Sequence, residues 1–143
     1  MNSENNCYYC LKDQRLDDLM IEVCSLNASI LYLFREQTYK GRCVLVLKTH
    51  KRELFELDEY ESENFYKDMS RAASAIKKTF SPGKINYAAF GDKVPHLHFH
   101  LVPKYENRPG WGEAFEITPK EKVFLKEGEY IEIVRLLKDN LQY

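Results

Sequence analysis

Residues 95–103 read Pro-His-Leu-His-Phe-His-Leu-Val-Pro, a run in which imidazole and apolar side chains alternate without a break. Successive side chains of a strand point to opposite faces, so this spacing predicts a strand with His96, His98 and His100 on one side and Leu97, Phe99 and Leu101 on the other. Few patterns constrain a fold more. The apolar side must lie on a core, and a row of three titratable rings has no packing rationale of its own. Three of the chain's 4 histidines fall here, which marks the segment as a candidate site.

The flanking sequence supplies the other layers. Residues 13–23 carry Leu16, Leu19, Met20 and Val23 at helical spacing, which predicts a short helix. Ser29 to Phe34 and Cys43 to Leu47 are aromatic and β-branched runs separated by a turn at Tyr39-Lys40-Gly41, and read as an antiparallel pair. Asp58 with Glu61 three positions on is a capping-box pattern. Phe65, Met69, Ala72, Ala73, Ile76 and Phe80 follow as one stripe, ended by Ser81-Pro82-Gly83, giving the longest helix. Ile85 to Phe90 is a further strand, a turn at Gly91-Asp92-Lys93 leads back into the histidine strand, and Pro109-Gly110-Trp111-Gly112 is a loop. Tyr130, Ile133, Val134, Leu137 and Leu141 predict a C-terminal helix. The fold class is α+β, with an antiparallel sheet packed against one long helix plus a C-terminal helix.

With 143 residues, 44% of them hydrophobic, the chain is expected to form one domain over residues 1–143. A net charge of −1 leaves no basic footprint of the kind nucleic-acid binding needs. No run is long enough for a membrane span and the polar start lacks a secretory core, so neither a nucleic-acid nor a membrane partner is expected. The 4 cysteines without such a signal point to a reducing, cytoplasmic setting, where thiols bind metals or fill cores.

Two chemistries suit the histidine row: a three-histidine catalytic metal, or nucleophilic attack by one ring with its neighbours orienting or protonating. Cys7-Tyr8-Tyr9-Cys10 is a C-x-x-C pair able to place both sulfurs on one ion. A structural zinc takes four ligands, and Cys7, Cys10, His50 and one member of the row would complete a Cys2His2 set, leaving two imidazoles for chemistry. Cys24 and Cys43 are expected to be small buried residues in helix and strand interiors.

The form H-φ-H-φ-H-φ-φ of His96 to Val102 resembles the signature of the histidine triad (HIT) family of nucleotide hydrolases and transferases. Gly41 to His50, with its glycine, apolar strand and Lys48-Thr49-His50 ending, is similar to the same family, as is the order of helix and strand that follows. The resemblance spans about residues 7–112, leaving 113–143 as a C-terminal extension. It implies a HIT-like fold, a homodimer, and cleavage at the α-phosphate of dinucleoside polyphosphates such as diadenosine tetraphosphate, or of nucleoside phosphoramidates. His98 would be the nucleophile forming a nucleotidyl-histidine intermediate, with water or another acceptor displacing it; the rival under the same resemblance is a nucleotide-binding regulatory module with slow turnover. His100 and Asn86 would hold phosphate oxygens. The zinc-bearing branch, with its N-terminal C-x-x-C, implies one structural zinc per chain on Cys7, Cys10, His50 and His96.

Three further substrate-binding positions follow. Glu36 is the nearest match to a ribose-holding residue, although this loop is one residue shorter than the family's usual form. Lys93 stands where relatives carry a glycine-glutamine or glycine-serine element and would neutralise a departing polyphosphate. Trp111, in its Gly-Pro loop after the histidine strand, would either stack on a base or pack at a subunit contact.

Overall fold

The computed structural model describes residues 4–141. Five strands, β1 (Met20–Ser25), β2 (Ser29–Phe34), β3 (Cys43–Leu47), β4 (Lys84–Ala88) and β5 (His98–Lys104), form one antiparallel sheet in the order β1-β2-β3-β5-β4. Four α-helices accompany it among the described residues: α1 (Tyr8–Leu11), α2 (Gln14–Leu19), α3 (Glu59–Phe80) and α4 (Glu127–Leu141).

The sheet has two unlike faces, as the alternation requires. Leu31, Leu33, Cys43, Leu45, Leu47 and Leu101 pack with Phe65, Ala72 and Ile76 of α3 and with Tyr130, Ile133 and Leu137 of α4. Tyr32, Val44 and Val46, on the other face, pack with Cys7 and Tyr9 from the N-terminal turn. Val46 pairs with His98 and Val44 with His100, so the histidines share this second face. β5 is shifted from the expected boundaries. Pro95 and His96 lie in the loop before it, while the strand runs on to Lys104. Pro103 is accommodated because pairing with β3 ends at Leu101. The preceding strand likewise begins at Lys84 and stops at Ala88, short of the expected Phe90.

One expectation is overturned. Residues 13–23 are not a single helix: α2 starts behind Asp13, whose carboxylate accepts from Arg15 N, and stops at Leu19, where edge strand β1 begins. Met20 and Val23 are both buried, but in different clusters on opposite faces of the sheet. Two-sided burial of residues three apart imitates a helical stripe in the sequence. Cys24 consequently lies in a strand and is half-buried, whereas Cys43 is fully buried in β3.

Helix α3 is capped by Asp58, which accepts from Glu61 N at 2.8 Å. The reciprocal half of the expected capping box is replaced: the Glu61 carboxylate binds Thr49 Oγ1 at 2.6 Å and Lys51 Nζ at 2.5 Å, holding the loop that carries His50. From the middle of α3, buried Asp68 accepts from Asn27 N, Ala28 N and Ser29 Oγ at 3.2, 2.8 and 2.7 Å. It thereby ties the β1–β2 turn to the helix. Gly41 is dictated twice over, by a φ of +91° and by the Phe80 ring, which lies 2.6 Å from where a Cβ would stand. Among the described residues, no helix is long and apolar enough to cross a membrane.

Candidate active site and metal centre

Cys7 heads α1, and its carbonyl accepts from both Cys10 N and Leu11 N, so one helical turn brings the two thiols to one side. Lys12 closes the turn with a φ of +50°. His50 and His96 arrive from the loops after β3 and before β5. Cys7 Sγ is 3.4 Å from His96 Nδ1, Cys10 Sγ is 3.3 Å from His50 Nδ1 and 3.6 Å from His96 Nδ1, and the two Nδ1 atoms are 3.1 Å apart. A tetrahedral zinc with its usual bond lengths has N–N and N–S edges of about 3.3 and 3.6 Å. The donor set therefore fits a metal of that size. His96 Nε2 lies 2.6 Å from Leu47 O, an acceptor only, so this nitrogen carries the proton. Burial keeps the ring neutral, with the neighbouring His50 and His98 adding to the effect against the Leu47 carbonyl. The lone pair is then on Nδ1, facing the thiols.

The other two rings of the row are oriented differently. His98 Nδ1 lies 2.6 Å from His96 O and must donate to it, which puts the lone pair of the neutral ring on Nε2. Burial lowers the pKa of His98, opposed by that carbonyl. Tyr9 packs at 5.2 Å from the His98 ring and 5.4 Å from that of His96, joining the two sites. His98 and His100 are 8% and 9% exposed, so their faces are reachable but nearly dry. The three imidazoles do not converge on one point. His96 turns to the cysteines and its neighbours turn away, which speaks against a three-histidine catalytic ion.

His100 is the most perturbed of them. Its pKa is pushed down to about 3, first by burial, then by the Arg42 guanidinium and by His98. Phe34, Phe90 and Phe115 surround it with ring centroids 6.1 to 6.4 Å away. Arg42 is completely buried, with Nη2 3.1 Å from His100 Nδ1 and Nη1 3.2 Å from Ile117 O. Neither Arg42 nor Phe115 was singled out by sequence reasoning. Arg42 sits beside the glycine of a recognised motif and looks like a turn residue, and nothing in the local sequence tells that residues 113–118 return to the histidine face.

Asn86 pairs with Val102 in the β4–β5 ladder, which places it on the histidine face, diagonal to His100. Glu36 is buried and mostly engaged: Oε2 accepts from Thr38 N, Thr38 Oγ1 and Val123 N at 3.0, 2.6 and 2.7 Å, while Oε1 has no partner among the described residues. It lines a cavity of about 230 Å³ with Phe34, Ile117, Pro119 and Phe124. On the other side, Lys93, Arg52 and Phe90 line an open cavity of about 720 Å³. Trp111 is not brought to the histidines. Its ring lies over Gly83, beside the Lys104 end of β5, about 20 Å along the strand from His98 at about 3.3 Å per residue.

A family model described as the HIT domain matches residues 23–107. The chain is 24% identical to adenosine 5′-monophosphoramidase hnt1 of Schizosaccharomyces pombe over 124 residues, covering 81% of this chain and 90% of that protein. Among solved structures, a histidine triad protein from Sinorhizobium meliloti superposes with a TM-score of 0.81 at 23% identity, covering 90% of this chain and 94% of the other. A zinc-bound histidine triad family protein from Mycobacterium smegmatis superposes with a TM-score of 0.66 at 21% identity, covering 97% of this chain and 95% of the other.

Proposed function

The chain belongs to the HIT domain family, and from that premise we propose that it is a nucleotide hydrolase or nucleotidyl transferase acting at an α-phosphate through His98. The observation that carries this reading is the bond from His98 Nδ1 to His96 O, which leaves the lone pair of the neutral ring on Nε2, in a side chain that keeps 8% exposure. In the first step Nε2 attacks phosphorus, the bond to the leaving group breaks, and the leaving amine or phosphate departs with the electron pair and takes up a proton. In the second, water or another acceptor attacks the same phosphorus, the P–N bond to His98 breaks, and the acceptor's proton is lost. His100 and Asn86 hold non-bridging oxygens from the same face.

The two flanking cavities support a division of the substrate. The nucleoside occupies the apolar cavity beside Phe34, with Glu36 in its wall as the group for a ribose hydroxyl, and the leaving group lies toward Lys93 and Arg52. The name of the fission-yeast relative favours nucleoside phosphoramidates, with dinucleoside polyphosphates as the other class to test. Cys7, Cys10, His50 and His96 are the ligands of a structural zinc, which when bound ties the N-terminal turn to the loops before and after the sheet's central strands. The family also makes a homodimer the expected assembly.

The test is turnover of adenosine 5′-phosphoramidate and diadenosine polyphosphates by wild type and His98→Ala, with intact-mass detection of an adenylated protein. Wild type should turn over at least one substrate and trap one adenylate, and the variant neither. Equal turnover by both proteins would remove His98 as nucleophile.

A further inference from the structure

Arg42 is a cation buried without an ion pair among the described residues. Its guanidinium is fully enclosed, and the structure gives it one carbonyl (Ile117 O), the faces of Phe34 at 4.3 Å and Phe115 at 5.3 Å, and His100 Nδ1. Its Nε has no partner among the described residues. Burial brings its pKa down to about 10, with Glu36 and Tyr39 opposing. Such an arrangement is a poor source of stability, because a buried charge is costly unless it is compensated. What it does chemically is clearer. A guanidinium has donors and no acceptor, so the ring nitrogen facing it must accept. The neutral His100 ring then carries its proton on Nε2.

We propose that Arg42 is a positioning residue: its hydrogen bond to His100 Nδ1 holds the His100 proton on Nε2, as a directed donor to the phosphoryl oxygens. The claim rests on the nucleotide-transfer reading for its consequence in rate. The buried charge behind the ring strengthens the Nε2–H donor as negative charge grows on those oxygens, in a site where water does not screen it. The seat of Arg42 comes from residues 115–117, beyond the stretch matched by the family model. The C-terminal extension is thus part of the catalytic apparatus through Arg42 rather than a tail added to it.

The experiment has two readouts. Long-range ¹H–¹⁵N correlation spectra of the metal-loaded, full-length protein report the tautomer of each of its 4 histidines, with His100 assigned from His100→Gln. Wild type should show His100 protonated at Nε2 only. Arg42→Met should give a tautomer mixture at His100 and a kcat on adenosine 5′-phosphoramidate reduced by about ten- to a hundredfold, with KM changed by less than about threefold. Arg42→Lys, which keeps a donor, should recover part of both. A proton on Nδ1 of wild-type His100 overturns the proposal, and this needs no variant to fold. So does a folded Arg42→Met with an unchanged kcat. If wild type turns over no substrate, the nucleotide-transfer reading fails, while the tautomer spectrum still decides the placement of Arg42.

Discussion

Acidification offers a direct measure of how the His100 pocket is built. The folded protein holds this ring neutral, with its pKa near 3 through burial and the adjacent Arg42 and His98, whereas the unfolded chain protonates it near its ordinary value of about 6.5. A histidine with a depressed folded-state pKa makes the unfolded state the better proton acceptor, so stability is lost as pH falls below that ordinary value. The loss continues down to the folded pKa and then levels. At pH 5 the unfolded form gains about 2.303RT per pH unit over about 1.5 units, or roughly 2 kcal/mol, while the folded form takes up almost no proton. Urea unfolding of wild type and His100→Gln at pH 7 and pH 5 isolates this contribution, since the other three histidines are common to both proteins. Wild type should lose about 2 kcal/mol more than the variant over that interval. Equal losses would mean that the ring is solvated or charged in the folded state, and the account of Arg42 and the phenylalanine cage would fall with it.

Other perturbations probe different parts. Protein purified without added metal should contain about one zinc per chain, and chelation or Cys7→Ser/Cys10→Ser should remove it and lower the melting temperature; full metal content in the double variant would reject the ligand set. Asp68→Ala strands the Asn27 and Ala28 amides and the Ser29 hydroxyl, and should cost about 3 kcal/mol by chemical denaturation; a loss within experimental error would show that water satisfies them. Gly41→Ala meets the Phe80 ring as well as an unfavourable φ, whereas Gly112→Ala has a φ of +87° and nothing within 4 Å. The first should cost about 2 to 4 kcal/mol and the second about 1, and equal costs would argue that Phe80 moves aside freely.

The comparison of these residues shows where one-dimensional information stops. Strand and helix periods are local, because a side chain's direction follows from its neighbours' dihedral angles. That is why the two-faced histidine strand, the Asp58-capped helix and the C-x-x-C turn were legible from spacing alone. The same logic failed at residues 20–23, where burial on both faces of an edge strand copied a helical stripe. It was also silent on roles within the row, since His96, His98 and His100 are identical as letters. Their division came from partners far along the chain: Cys7 and Cys10 for His96, and Arg42 with Phe115 for His100. A ring's tautomer and charge depend on which donor, acceptor or apolar surface folding brings against each nitrogen, and no rule of spacing contains that contact.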